Sequence, residues 1–261
     1  MKCSVVLLCL ALAVPSFGWR LPKLKKGGVI PRIVNGQEVA PHSFPFQVLA
    51  GFDDGNGGGW SCGAALISAY WVLTAGHCIF ESVASDIILG VHNMSLTEPD
   101  TRQIFRSYEL HLHDNWDQSN DIGLVKLPQA AQFTWAVQPV SLITAQEASQ
   151  IQIGADVVVI GWGILQFDGW ITSDVLRQGT EKVADESACA TYGFNKDTQV
   201  CASMAYGQGS CVGDSGGPLL WNNKVIGIVS YGPQDCLLGG ADVYTKVATY
   251  LDWIHSITGD L

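Results

Sequence analysis

Three short stretches carry the side chains best suited to chemistry: Thr74-Ala75-Gly76-His77-Cys78, Asn120-Asp121-Ile122-Gly123-Leu124 and Gly213-Asp214-Ser215-Gly216-Gly217-Pro218. A serine hydroxyl is a poor nucleophile until a base removes its proton as it attacks a carbonyl. An imidazole, titrating near neutrality, can take that proton and return it to a leaving amine. A buried carboxylate beside the ring fixes its tautomer and stabilises the imidazolium that forms. Ser215, His77 and Asp121 are thus a candidate nucleophile, base and orienting acid for acyl transfer. The oxyanion of such a reaction needs preorganised donors. The glycines around Ser215 let the backbone turn sharply and present N–H groups, with those of Gly213 and Ser215 the expected pair.

These residues must be positioned by the rest of a chain of 261 residues, 48% hydrophobic and 15% charged, too apolar for disorder. After Ile33 the texture is one of short Val-, Ile- and Leu-rich runs broken by Gly, Pro, Asn and Asp. Candidate strands are Phe46–Leu49, Ala64–Ile67, Trp71–Thr74, Ile87–Leu89, Ile122–Leu127, Val157–Ile160, Pro218–Trp221, Val225–Ser230 and Ala241–Lys246. Many short strands with frequent turns predict antiparallel barrels or a sandwich. The Gly-rich segment Asp53–Gly59 reads as a hairpin loop, and Val247, Tyr250, Leu251, Ile254 and Ile257 recur at helical spacing.

The amino terminus reads as an export signal over residues 1–18: Lys2, an apolar run from Val5 to Val14, Pro15, then small residues Ser16 and Gly18. That run is too short to span a bilayer, so the expectation is a secreted, extracellular protein without a membrane anchor. Residues 19–32 form a basic leader ending in Arg32. From Ile33 onward eight basic residues face 24 acidic ones, a formal charge of −16 with histidines neutral. So acidic a body argues against nucleic-acid and anionic-membrane partners. Of the eight cysteines, Cys3 and Cys9 fall in the signal. The remaining six imply disulfides, with fifteen pairings open from counting alone. No Cys-x-x-Cys pair is present, so zinc is not expected.

The three stretches occur in the chain order His, Asp, Ser. With them stand Ile33-Val34-Asn35-Gly36 after Arg32, Gly161-Trp162-Gly163 and Ser230-Tyr231-Gly232. On these motifs the chain from Ile33 to its end resembles the chymotrypsin-like, S1-type serine peptidases. The resemblance implies an all-β fold of two six-stranded antiparallel β-barrels, about 33–135 and 136–246, with the active site in the cleft between them and a C-terminal α-helix at about 247–257. It implies disulfides Cys62–Cys78, Cys189–Cys201 and Cys211–Cys236. It further implies a precursor activated by cleavage between Arg32 and Ile33, by a trypsin-like protease or by the enzyme itself. The freed Ile33 amine would then pair with Asp214 and order the oxyanion hole. No cysteine lies in residues 19–32, so the leader is expected to depart. Protein or peptide substrates, protein protease inhibitors, a monomeric state, no cofactor and no metal complete the expectation.

In that family the base of the specificity pocket lies six residues before the nucleophile, here Gly209, where trypsins carry an acid. Counting back from Tyr244 on the far wall gives Asp242 at a position usually small. Glycine at the base with an acid on the wall resembles the brachyurin group of crustacean collagenolytic peptidases and some insect chymotrypsins. Two readings follow. Asp242 can offer charge to a basic side chain, giving broad cleavage mainly after Leu, Phe, Tyr or Met and secondarily after Arg or Lys. Alternatively it is turned away and internally bonded, giving a plain chymotrypsin-like preference. Ser230, Tyr231 and Gly232 are expected to hold the substrate backbone as an added strand. Leu89-Gly90-Val91-His92-Asn93 lacks the acid that begins the calcium loop of trypsins. Asn93-Met94-Ser95 is a possible glycosylation site. His111 and His113 read as a surface segment leading into Asp121 rather than a metal site. Gly76 stands where alanine is usual before the His, a change expected to be mild. Absence of further modules favours a digestive role. The alternative from another class is an inactive homologue acting as a binding or cascade scaffold.

Overall fold

A computed structural model describes residues 36–166, 171–203, 208–233, 236 and 240–259. The export signal, the leader, Arg32 and Ile33 lie outside the described residues. A two-residue strand β1 (Gln37–Glu38) opens the described chain and pairs with the second sheet, so the start of the chain is tied to its far half.

The first sheet contains β2 (Gln47–Asp53), β3 (Gly59–Leu66), β4 (Trp71–Thr74), β5 (Ala84–Leu89), β6 (Gln103–Ser107), β7 (Leu110–Leu112) and β8 (Gly123–Lys126). Their order is β6-β5-β2-β3-β4-β8-β7, every pairing antiparallel. β6 and β7 are two arms of one bent segment, and the Ser107 hydroxyl donates to the Lys126 carbonyl at the bend (2.6 Å). Period-two alternation explains the inward face. In β2, Val48, Ala50 and Phe52 are buried while Leu49, Gly51 and Asp53 are half-buried. The Asp53–Gly59 hairpin forms as the sequence predicts. Asp54 Oδ1 accepts the N–H groups of Asn56 and Gly58, and Gly55 and Gly57 take positive φ of 74° and 89°.

The second sheet is built from β9 (Asp156–Gly161), β12 (Arg177–Val183), β13 (Gln199–Ser203), β14 (Pro218–Trp221), β15 (Lys224–Tyr231) and β16 (Ala241–Lys246). Pairing of β9 with both β14 and β12 closes these six strands into a barrel. A short hairpin, β10 (Ile164–Gln166) with β11 (Ile171–Thr172), stands outside it. Val157, Val159, Ala202, Leu219, Ile226 and Tyr244 fill the interior. The helical periodicity near the end appears as a 3₁₀ turn, Val247–Tyr250, running into a helix over Leu251–Thr258, which buries Ile254 in the core shared with the first barrel. Among the described residues no helix is long and apolar enough to cross a membrane.

Strands β1, β6, β7, β10, β11, β12 and β13 were not apparent in the sequence. In β12 the inward positions are Arg177, Gly179 and Glu181, so the alternation is real but its buried set is not apolar. All six cysteines pair as the resemblance implies, Cys62–Cys78, Cys189–Cys201 and Cys211–Cys236. His111 packs edge-on against Trp71, and His113 lies between Tyr250 and Trp253, both half-exposed roles in packing.

The loop after β5 is closed by an organic cation. Glu98 accepts the His92 and Asn93 N–H groups, each at 3.0 Å. Arg102 reaches Glu98 Oε2 at 3.0 Å and the Asn93 carbonyl at 2.6 Å. Burial alone would raise the Glu98 pKa, but those N–H groups and the guanidinium hold it below the ordinary carboxylate value. The pair's stabilisation is therefore complete above that ordinary value and is lost as pH falls through the lowered one. Replacing Arg102 by Leu should lower stability by about 2 kcal/mol at neutral pH, because it leaves a largely buried carboxylate without its cation. Urea unfolding of the two proteins at neutral and at acid pH checks both the loss and its disappearance in acid.

Candidate active site

His77 lies on a single helical turn, Gly76–Ile79, that directly follows β4 and is tethered to β3 by the Cys62–Cys78 disulfide. Asp121 sits at the entry to β8, on the neighbouring strand. Its carboxylate receives donors from several parts of the chain. Oδ1 accepts the His77 N–H at 2.7 Å and the Trp116 indole N–H at 3.3 Å. Oδ2 meets His77 Nδ1 at 2.7 Å and accepts the Ser230 hydroxyl at 2.6 Å. Only 4% of Asp121 is exposed. Burial pushes its pKa up, but the imidazole, the Ser230 hydroxyl and the His77 N–H outweigh that and hold it below the ordinary value. An ionised Asp121 therefore fixes Nδ1 of His77 as the protonated nitrogen, leaving Nε2 to accept a proton.

The Ser215 turn is wedged against the first barrel. Gly63 N–H donates to the Ser215 carbonyl at 2.8 Å. A side chain at Gly216, where φ is +76°, would strike Thr74 Oγ1 and the Gly63 carbonyl oxygen. Glycine there allows the nucleophile turn to press onto the strands that carry His77. The Ser215 hydroxyl is not hydrogen-bonded to the imidazole in this structure, and such bonds are often long in resting enzymes. Gly213 takes φ of +98°, and neither its N–H nor that of Ser215 meets an acceptor among the described residues. This leaves both donors available to an oxyanion.

Asp214, fully buried, accepts the N–H groups of Gly163 (2.8 Å) and Cys211 (3.0 Å). A Cβ at Gly161 or Gly163 would overlap the Asp214 carboxylate, which explains both glycines of Gly161-Trp162-Gly163. Trp162 between them donates to the His92 carbonyl at 3.0 Å and so links the two sheets. Burial pushes the Asp214 pKa up to about 7, against the two N–H donors. Among the described residues no cation lies against it.

Beside Ser215 a cavity of about 230 Å³ is lined by Ser210, Ser230, Tyr231, Gly232 and Asp242. The Cys211–Cys236 disulfide joins two of its walls. Gly209 itself is buried just before Ser210 and does not line the cavity. The register of β15 against β16 shifts between Val229 and Tyr231, a bulge that frees Ser230 from the ladder and aims its hydroxyl at Asp121. Asp242 Oδ2 accepts both the N–H and the hydroxyl of Ser210 at 2.9 Å, while Oδ1 lies over Gly232, where a Cβ would overlap it. One oxygen is thus internally held and the other lies on the pocket wall. Asn93 turns its side-chain oxygen onto the Ser95 N–H and hydroxyl.

The one cluster of His, Cys, Asp or Glu with metal-ligand spacing among the described residues is Cys62, His77 and Cys78. Both sulfurs are bonded to each other, so the donor set does not suit a metal. Two neighbours of the site escaped the sequence reading. Trp116 stacks on Phe80 with ring centroids 4.3 Å apart and donates to Asp121. Gly76 makes room for it, since a Cβ there would overlap the indole. The substitution read as mild is a packing requirement. Glu181, fully buried, accepts the Tyr244 hydroxyl at 2.6 Å behind the pocket wall.

A family model described as Trypsin matches residues 33–254. Brachyurin of Leptuca pugilator is 36% identical over 87% of this chain and 99% of its own. Chymotrypsin of Phaedon cochleariae is 35% identical over 86% of this chain and 81% of its own. Among solved structures, HL collagenase superposes with a TM-score of 0.77 at 27% identity, covering 87% of this chain and 99% of that one.

Replacing Gly76 by Ala should displace the Trp116 indole from Asp121 and lower kcat/KM several-fold with little change in KM. Steady-state kinetics alongside the Trp116→Phe variant, which loses only the indole donor, checks this. Equal activity in Gly76→Ala and wild type would remove Trp116 from the account.

Proposed function

The chain belongs to the trypsin family of serine endopeptidases, and from that premise we propose that it is a secreted, digestive peptidase, made as a precursor, with Ser215, His77 and Asp121 as its catalytic residues. The observation that carries the assignment is the contact at 2.7 Å between buried Asp121 and half-exposed His77, set next to a pocket lined by Ser215.

Ser215 Oγ attacks the substrate carbonyl as His77 Nε2 takes its proton. Asp121 stabilises the imidazolium, and the Gly213 and Ser215 N–H groups receive the oxyanion. Collapse returns the proton from Nε2 to the leaving amine and leaves an acyl-enzyme. Water then repeats the sequence and releases the acid. Bulky apolar side chains enter the pocket, and Asp242 on its wall admits Lys and Arg as secondary choices. Ser230 and Gly232 hold the substrate backbone as an added strand. The family match starts at residue 33, the residue that follows the proposed leader.

Activation couples to Asp214. Cleavage after Arg32 frees the Ile33 amine, which enters the second barrel and supplies the cation that the buried Asp214 lacks among the described residues. A free α-amine titrates near roughly 8, and an ion pair with Asp214 raises that value. The active arrangement is therefore complete below that range and fades as pH rises through the raised value.

The assignment is tested by nicking the purified precursor at Arg32 and profiling its cuts on a diverse peptide mixture, with Ser215→Ala as control. Cuts after Leu, Phe, Tyr and Met, fewer after Arg and Lys, all absent from the control, are expected. Silence from folded, nicked protein would replace this reading with that of a binding scaffold. Acetylating Ile33 after nicking should abolish activity; full activity of the acetylated enzyme would sink the activation step.

A further inference from the structure

Behind the pocket wall lie two buried acids, Glu181 on β12 and Asp242 on β16, brought together because Glu181 meets the hydroxyl of Tyr244, two residues along β16 from Asp242 and on the same face. Glu181 is wholly inaccessible and Asp242 is 2% exposed. Glu181 Oε1 accepts the Tyr244 hydroxyl, whereas Oε2 is buried without a hydrogen-bond donor among the described residues, the nearby Ser210 N–H being given to Asp242 Oδ2. Asp242 Oδ2 already takes the N–H and hydroxyl of Ser210. Two ionised carboxylates cannot sit side by side in such surroundings, because each costs desolvation and each repels the other. An oxygen without a donor beside a carboxylate is resolved most simply when it carries the proton itself and donates to its neighbour.

We propose that Glu181 is a specificity-determining positioning residue: its carboxyl, protonated on Oε2, donates to Asp242 and thereby sets how strongly the pocket favours a basic over an apolar side chain. This rests on the pocket reading given above. The pair carries one negative charge shared over Asp242, the member that lines the cavity, while Glu181 stays neutral behind it. Burial and the Asp242 charge both push the Glu181 pKa well up. Burial raises that of Asp242 to about 6, limited by Ser210 and by the Glu181 donor. The facing titratable groups are Tyr244, held neutral by burial and by these acids, and more distantly Asp214. On the strand of Glu181, Arg177 bonds to Ser173 and the Gly36 carbonyl, and Lys182 to Asp156 and the Gly154 carbonyl. Strand β9 brings Val157 opposite Glu181.

Two consequences separate this role from a merely structural one. Glu181→Gln keeps the shape and keeps a neutral donor on Asp242 in place of the protonated carboxyl, so the ionisation of Asp242 stays where it is in wild type. Glu181→Leu removes the donor and moves that ionisation to higher pH. The readout is kcat/KM on two peptides that differ only in Leu or Arg before the cut, from about pH 5 to 9. Their ratio cancels the titrations of His77 and Ile33, which both substrates share.

In wild type the Arg-to-Leu ratio should rise as pH climbs through about 6. That rise should stay in place in Glu181→Gln and shift up by about one pH unit in Glu181→Leu, so the two variants differ several-fold in ratio near about pH 6. Asp242→Asn should flatten the profile in every background. Wild type that cuts both peptides, with the same ratio profile in both Glu181 variants, would overturn the role of Glu181 while leaving the pocket reading intact. Wild type that never cuts the Arg peptide would overturn both.

Discussion

A carboxylate removed from water is stable only where donors replace the water, and Asp121 meets that condition with groups drawn from distant parts of the chain. His77 supplies its ring and its backbone N–H, Trp116 an indole, and Ser230 a hydroxyl from the other barrel. Each donor needs its own support. His77 needs the turn stapled by Cys62–Cys78, Ser230 needs the bulge in β15, and Trp116 needs the bare backbone at Gly76. Thr245 on β16 donates to the Asp121 carbonyl at 2.6 Å, so the main chain of Asp121 is also held from the second barrel. The cleft is thus where the barrels exchange hydrogen bonds, and closing it assembles the chemistry.

Among its described residues the second barrel hides three further acids, and each is reconciled with burial differently. Asp214 rests on two N–H groups in a cradle made by Gly161 and Gly163. Asp242 is held by Ser210, and Glu181 by Tyr244 and its own proton. Most of the chain's many other acids are solvated or paired on the surface, where exposed ion pairs contribute little.

The parts of the site that are local in sequence were legible there. Gly213 to Pro218 form a single turn whose glycines are needed for its shape, and His77 and Asp121 each sit in a short apolar run that predicts the strand beside it. Strands β4, β14 and β16 were legible to the residue. What stayed hidden depends on contacts across the fold. β12 alternates Arg177, Gly179 and Glu181 inward, which reads as an exposed polar strand until the partners of those side chains are known. Gly76 looked like a small loss of side chain, yet the space it leaves belongs to Trp116, forty residues away in the chain. Asp242 could be placed on the pocket wall by its distance from Tyr244, but which oxygen faced inward depended on Ser210.

The central claim is that Asp121, the base His77 and Ser215 form one assembled nucleophile once the amino terminus at Ile33 is released. Titration with a fluorophosphonate, which phosphylates only an activated serine, tests it most directly. One mole of label per mole of chain on Ser215 after nicking at Arg32, with little on the intact precursor and a loss of most labelling rate in Asp121→Asn, is the expected result. Equal labelling before and after nicking, or labelling that ignores Asp121, would contradict the account.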